Sequence, residues 1–385
     1  MFRTTLILAL AMYASATLSV TYTDMQEVAL AMGVGFYSGV DGVFPASNGG
    51  SVGVFATHDA STGDDLSYEE TDMAMLPLAA GGCKIMGLAM VGGMGAVYTG
   101  TSNEWVKADL PHPLLVSQDV KHTHSGNMWT VTGTFVGNRG SFGGVAVSAD
   151  NGVSWQQVNL PEDTFYNTAD IRYTSAPSPD VMYVNAGMWP QDDASKAAAG
   201  LRGVKRHHIS QRLSVENGKL MLADTPPGEP VGFWAQVAKT TDGGATWSIV
   251  LDDTKSGYYP NGIDCYDVDN CAMAVEGTKD GVDFGAVMLT SDGGATWTTS
   301  DTTMAGSMMN VKMTGDSEVW SAGATAAQVG AYFQTTDLEN WDAAATDPSD
   351  LIAFMTSIEF DGNGNLWGTG IKRTQLACIV KGEVA

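Results

Sequence analysis

An eight-residue phrase constrains this chain more than any other feature. Thr-Thr-Asp-Gly-Gly-Ala-Thr-Trp runs from Thr240 to Trp247, and Thr-Ser-Asp-Gly-Gly-Ala-Thr-Trp from Thr290 to Trp297. Ser-Ala-Asp-Asn-Gly-Val-Ser-Trp spans Ser148 to Trp155, and a worn copy, Thr-Thr-Asp-Leu-Glu-Asn-Trp, spans Thr335 to Trp341. Asp followed by Gly or Asn is hairpin-turn chemistry, because the carboxylate accepts turn N–H groups and Gly tolerates positive φ. The Thr or Ser two residues earlier adds a hydroxyl, and the Trp that closes each copy is large enough to wedge between sheets. Asp150, Asp242, Asp292 and Asp337, with Trp155, Trp247, Trp297 and Trp341, are therefore expected to be structural.

A second phrase, a short apolar run ending in Gly, recurs at Gly33, Gly92, Gly133, Gly187, Gly277, Gly323 and Gly370. Each is followed by another apolar run and then a copy or remnant of the turn phrase. One unit is thus four short strands, the period of a propeller blade. The expected fold is all-β, a single seven-bladed β-propeller over residues 17–385, since no Pro- or Ser-rich linker divides the chain. Blade one would run from Met25 to Glu70 with a Gly-rich loop at Gly35 to Gly53, blade three from Asp119, blade four from near Asn167 and blade six from Met309. Blade seven shows only three strands, and the β-prone run Leu18 to Tyr22 would supply its outer one. Blade four carries a long insert at about 188–232, with a hairpin expected around Glu216-Asn217-Gly218. These repeated turns resemble the Asp-box, or BNR repeat, of sialidase-like β-propellers. The resemblance implies that the boxes lie on the face away from the ligand, with the loops between second and third strands facing it.

Residues 1–16 read as a secretory signal: Arg3, an apolar run from Leu6 to Tyr13, and the small-x-small site Ala14-Ser15-Ala16. Later stretches fall short of 18 apolar residues, so no membrane span is expected. In an exported chain, Cys265 and Cys271 flanking a hairpin loop are expected to form a disulfide, whereas the pairing of Cys83 with Cys378 stays open. The net charge of −24, from 43 acids against 19 bases, excludes nucleic acid as a favoured partner. A monomer without cofactor or metal is expected.

Against that acidity, Lys205, Arg206, His207 and His208 form a rare basic cluster in the blade-four insert, with Arg202 and Arg212 nearby. They are candidate contacts for an anionic ligand or partner. Funnel candidates on the innermost strands are Asp119 and His122, Asp170 and Arg172, Tyr259 and Asp264, and Glu359. Glycoside hydrolysis needs two carboxyl groups about 5 to 10 Å apart, which such a ring of strands can supply. His122-Thr-His124 lacks a third metal ligand, and Asp361-Gly-Asn-Gly-Asn365 reads as an Asx turn rather than a Ca²⁺ loop.

A sialidase proper uses an arginine triad, a Tyr–Glu pair, an Asp acid/base and an Arg-Ile-Pro motif. Arg-Ile-Pro is missing from this sequence, and of seven arginines Arg172 alone falls clearly on an expected inner strand. The boxes on one ring behind an export signal are also similar to photosystem II assembly-factor propellers, a non-enzymatic branch. That resemblance implies a propeller that holds a protein or glycan on its loop face. Three readings compete: an exported non-enzymatic binding scaffold, a glycoside hydrolase or lyase using funnel carboxylates, and a plastid-lumen assembly factor. The first is favoured because no catalytic set stands out. The third needs a bipartite address, whereas Thr17 to Glu27 carries acids and no base.

Overall fold

In the computed structural model the chain folds as successive four-stranded antiparallel meanders, with no helix among the described residues. Those residues run from Leu18 to Val384, omitting chiefly 25–34, 37–41, 58–66, 166–169, 189–212, 223–231 and several short turns. Side chains are described mainly from residue 106 onward.

Blade one comprises Gly35–Phe36, Gly42–Asn48, Ser51–Thr57 and Ser67–Thr71, and blade two Met75–Gly81, Lys84–Val91, Met94–Thr101 and Glu104–Lys107. Blade three follows with Leu114–His122, Trp129–Gly137, Gly140–Ser148 and Gln156–Val158; the single pair Leu114↔Gly95 joins it to blade two. Blade four is Asp170–Ser175, Met182–Met188, Trp234–Thr240 and Ser248–Asp253. Blade five is Tyr258–Cys265, Cys271–Lys279, Val282–Thr290 and Thr298–Thr299, and blade six is Ala305–Met313, Val319–Thr325, Gly330–Thr335 and Asp342–Thr346. Blade seven has Ile352–Met355 and Glu359–Phe360 inside, then Leu366–Lys372 and Ala377–Val384. Its outer strand is Leu18–Asp24, paired antiparallel from Leu18↔Val384 to Asp24↔Cys378. The first strand of the chain therefore covers the edge of the last meander, which would otherwise offer a row of unpaired N–H and C=O groups.

The antiparallel order puts the first and third turns of each blade on one face and the second loop on the other. Hydrogen bonds confirm the shared face: Gly243 N donates to Asp180 O at 2.9 Å, and Gly293 N to Asp269 O at 3.0 Å. Both join a box to the first turn of its own blade.

The boxes are built as their sequence dictates. Asp242 Oδ1 accepts the Thr246 N–H and the Thr240 hydroxyl, both at 2.8 Å, while Oδ2 accepts the Thr246 hydroxyl at 2.6 Å. Asp150 and Asp292 repeat this set with Ser148 and Ser154, and with Thr290 and Thr296. In the worn copy Asp337 captures the Glu339 and Asn340 N–H groups instead, and Leu338 takes a φ of 63°. The second box glycine also meets the preceding blade. A Cβ on Gly244, whose φ is 94°, would strike Val158 on the outer strand of blade three, and one on Gly294 would lie 3.1 Å from Val250 of blade four.

The core is divided into layers between neighbouring sheets. Trp320, Tyr332, Ile352, Met355 and Leu366 fill the space between blades six and seven, and Val237, Ile263, Met273 and Met288 that between blades four and five. Trp129, Trp234 and Trp367 are fully buried, each contributing about 2–3 kcal/mol of transfer free energy. All four box tryptophans pack into these layers.

Some boundaries differ from expectation. The segment from Gly35 to Gly53, expected as a loop, contains strand: Gly42–Asn48 pairs with Ser51–Thr57 as blade one's second hairpin. Its Asn48-Gly49-Gly50-Ser51 bend has hairpin chemistry, with β-prone Val and Phe on both sides. The second strand of blade one is Gly42–Asn48, and the run ending at Gly33, expected to fill that place, lies outside the described residues. Blades three and six begin earlier, at Leu114 and Ala305. Within the blade-four insert, Leu213–Glu216 pairs with Lys219–Leu222 as a separate hairpin, at the place the Asn-Gly turn predicts. Arg202, Lys205, Arg206, His207, His208 and Arg212 lie outside the described residues, as do Cys83 and residues 1–16. The Cys265–Cys271 disulfide is present, and Cys378 is buried with its Sγ donating to Gly370 O.

Candidate functional site

In blades two to seven the inner strand breaks register against its second strand. Such bulges place an extra residue and re-aim its side chain. One break in each of blades three to six falls at Ser117/Asp119, Ile171/Thr174, Pro260/Ile263 and Met308/Asn310 respectively. The residues they enclose meet one another. Arg172 Nη1 donates to Gln118 Oε1 and Nη2 to Asn261 Oδ1, both at 3.2 Å. Asn261 Nδ2 in turn donates to Met308 O at 2.8 Å and lies 4.0 Å from Met309 Sδ.

Arg172 is 7 % exposed, with its guanidinium carbon 5.2 Å from the Tyr173 ring centroid and 5.1 Å from that of Tyr259. Stacking of this kind suits a weakly hydrated planar cation and is worth about 0.5–2 kcal/mol per ring. Asn185 fixes the surroundings from the second strand: its Oδ1 accepts Tyr173 N at 2.8 Å and its Nδ2 donates to Asn261 O at 2.6 Å. The inner strands thus converge on one guanidinium, side-chain amides and two phenol rings.

A second set lies nearer the box face and clasps each inner strand to the next. Asp119 Oδ2 accepts Thr174 N at 3.3 Å, Ser175 Oγ accepts Cys265 N at 3.0 Å, and Asp264 Oδ2 accepts Met313 N at 2.9 Å. Lys312 Nζ reaches Glu359 across the next blade boundary at 3.0 Å. Burial pushes the Asp119 carboxyl up to about 7, against the pull of Lys121 and Arg172. Burial alone would lower Lys312, but the charges of Glu359 and Asp264 outweigh it and hold the ammonium above the ordinary lysine range.

Asp170, Arg172 and Tyr259 lie in the loop-face half of their strands; the Asp170 side chain is outside the description. Asp264 and Glu359, expected at the funnel entry, lie at the other end. Each stands one residue before its strand finishes at a first turn, Tyr266–Asn270 and Asp361–Asn365 respectively. Asp170 and Glu359 therefore differ in level by about four residues of strand, roughly 13 Å at 3.3 Å per residue. His122 ends its strand at the box face with its ring 4.7 Å from Trp129. Among the described residues no group of three His, Cys, Asp or Glu is placed to hold a metal ion. Asp361 forms the expected Asx turn, accepting Asn365 N at 2.9 Å and Trp367 Nε1 at 3.1 Å.

No protein-family model and no curated protein matches the sequence. Solved structures do match in shape. YCF48 from Cyanidioschyzon merolae superposes with a TM-score of 0.55 over 94% of this chain and 98% of its own, at 12% identity. A structure of YCF48 bound to D1 peptide gives 0.54 over 94% and 96%, also at 12% identity. The chain is a β-propeller. The Niastella koreensis GH74 enzyme gives 0.50 at 10% identity over 91% of this propeller, which spans 51% of that enzyme's length. At such identities the likeness carries the fold alone.

The sequence singles out Arg172 and Tyr259 as funnel candidates, and the convergence that contains them also includes Gln118, Asn261 and Asn185, with Lys312 in the neighbouring set, none of which it singles out. Asn261 had a readable signal, since Pro260 and Gly262 on either side of it mark a bulge. Gln118 and Asn185 had none, because a lone amide in a strand carries no periodic signature.

Proposed function

We propose that this propeller is an exported, non-enzymatic binding module that holds a partner on its loop face. The observation that carries this reading is the make-up of the inner-strand convergence. Arg172, Gln118 and Asn261 are recognition groups by type, ordered by bonds to one another beside the buried Tyr173 and Tyr259 and reached from outside through the half-buried Gln118, while Asp119, Asp264 and Glu359 are engaged in holding neighbouring blades together. Groups of the first kind suit the amides and carboxylates of a protein segment, or the hydroxyls of a glycan. The fold likeness to YCF48, whose structure holds a D1 peptide, supports a protein segment.

In this reading residues 17–385 form one seven-bladed ring behind a cleaved signal at 1–16. Arg202, Lys205, Arg206, His207, His208 and Arg212 of the insert at about 188–232 supply, in the same reading, the positive charge that attracts an anionic partner. The Cys265–Cys271 disulfide is compatible with a secreted or lumenal location.

A combined retention-and-release assay tests this. Mature protein is incubated with soluble polysaccharides, sialosides and acidic peptides, and bound ligand is recorded together with new reducing ends or free sialic acid. Retention without release is expected, with loss of retention in Lys205→Glu/Arg206→Glu. Release that disappears in Asp170→Asn would make this a glycoside hydrolase and overturn the proposal.

A further inference from the structure

We propose a second interaction surface on the opposite, box-bearing face: the disulfide-closed turn of blade five docks a basic protein surface through Tyr266 and Val268. It does not depend on the loop-face reading, because the second loops lie at the other end of the strands.

The turn differs from its described counterparts. The first turns of blades six and seven, Thr314–Glu318 and Asp361–Asn365, hold only Thr, Gly, Asp, Ser, Glu and Asn. The turn of blade four buries Ala176 and half-buries Val181. In blade five Tyr266 is 48 % exposed and Val268 37 % exposed, neighbours but one in a five-residue turn.

Exposure alone would be unremarkable, but this turn is also held from every side. The Cys265–Cys271 disulfide closes its base, and Tyr266 N donates to Asn270 O at 3.0 Å. Asp267 Oδ1 accepts Asp269 N and Asn270 N, both at 2.8 Å. Val268 O receives the Tyr183 hydroxyl at 2.7 Å and Lys239 Nζ at 3.4 Å from blade four. Asp269 O receives the Gly293 N–H of the blade's own box. A rigid aromatic and a rigid aliphatic group lose little conformational entropy on association, the property that distinguishes binding hot spots from ordinary exposed carbon.

Charge selects the occupant. Asp267 and Asp269 flank Val268 in the turn, and the exposed box acids Asp242 and Asp292 share the face. Partial burial opposes it, yet the N–H donors of Asp269 and Asn270 hold the Asp267 carboxyl below the ordinary range. Lys239, the cation beside them, spends its ammonium on Gly293 O at 2.7 Å and on the Tyr183 ring face. Anionic bilayers and nucleic acid are repelled by such a surface. A protein patch with an apolar recess rimmed by Lys and Arg is complementary to it.

The test uses the mature protein and a fluorescently labelled alternating Lys/Leu peptide, with a Glu/Leu peptide as control. The variant Tyr266→Ser/Val268→Ser keeps every charge and should keep the melting temperature, since both side chains are exposed. Its affinity for the Lys/Leu peptide should fall by about tenfold or more, while Lys205→Glu/Arg206→Glu has no such effect. Hydrogen exchange on the unaltered protein should show new protection across 265–271 when the peptide is added. Equal affinity in the double variant, binding of the Glu/Leu peptide, or protection confined to other turns would each overturn the proposal.

Discussion

Lys312 Nζ, on the inner strand of blade six, lies 3.0 Å from both carboxylate oxygens of Glu359 on blade seven. The two side chains are 21% and 28% exposed, so the pair stands between a surface bridge and a buried one. Replacing Lys312 by Met leaves Glu359 without its cation and Asp264 without a neighbouring one. We expect a loss of about 1–3 kcal/mol, between the values typical of surface and buried pairs. Urea unfolding measures it. Glu359→Gln should leave ligand retention on the loop face unchanged; a retention defect at unaltered stability would put Glu359 in the binding site.

One box glycine and one glycine of a first turn allow a controlled comparison. Gly244 and Gly364 both have positive φ, at 94° and 82°. A Cβ on Gly364 meets nothing within 4 Å, whereas one on Gly244 strikes Val158 of the preceding blade. Gly364→Ala should therefore cost about 1 kcal/mol, from backbone strain alone. Gly244→Ala adds overpacking and should cost about 2–4 kcal/mol. Pairing Gly244→Ala with Val158→Ala should recover part of the second loss but none of the first. Equal costs at the two glycines would mean that φ, rather than approach to blade three, selects the second box glycine.

Deleting residues 17–23 removes most of the outer strand of blade seven and exposes Ala377–Val384 as an edge. A marked fall in melting temperature and concentration-dependent aggregation are expected. Differential scanning calorimetry at two protein concentrations separates these effects. An unchanged melt would show that the pairing contributes little to closure.

The fold was largely legible because its signals are periodic. Asp242, Asp292 and Asp150 each come with the Thr or Ser, Gly and Trp that one turn geometry requires, so the local chemistry and the repeat spacing agree. Blade one was misread where that chemistry thins out, since Gly49-Gly50 looks like loop until its flanking Val and Phe are seen to pair. The site was legible only in part. Arg172 stood out through the scarcity of arginine, but the depth of a residue along its strand depends on bulges and turn lengths, and composition does not encode these. Asp264 and Glu359 were therefore identified as inner-strand residues and assigned to the wrong end of the strand.

The acids at the two levels of the propeller predict opposite limbs of one stability profile. Hydrogen bonds, led by the Ser154, Thr246 and Asn340 side chains, lower Asp150, Asp242 and Asp337 from 3.8 to about 2. Their contribution is fully present above the unfolded value of 3.8 and is lost as pH falls through about 2. Asp119 behaves in reverse. Burial raises it from 3.8 to about 7, so between those values the folded state holds a proton the unfolded chain has lost. Stability then declines as pH rises through about 7, and the maximum lies near pH 4. Asp119→Asn removes that titration while still offering an oxygen to Thr174 N. Melting temperatures from pH 2 to 9 should show this variant losing less than the parent between pH 4 and 7 and melting above it at pH 8. The combined Asp150→Asn/Asp242→Asn/Asp337→Asn variant should show a shallower fall only below pH 4. Other carboxylates repel one another in so acidic a chain and also steepen the neutral limb, but they do so equally in the parent and in Asp119→Asn. A difference between the two that does not change from pH 4 to 8 would therefore assign the neutral limb to net charge and remove Asp119 from it.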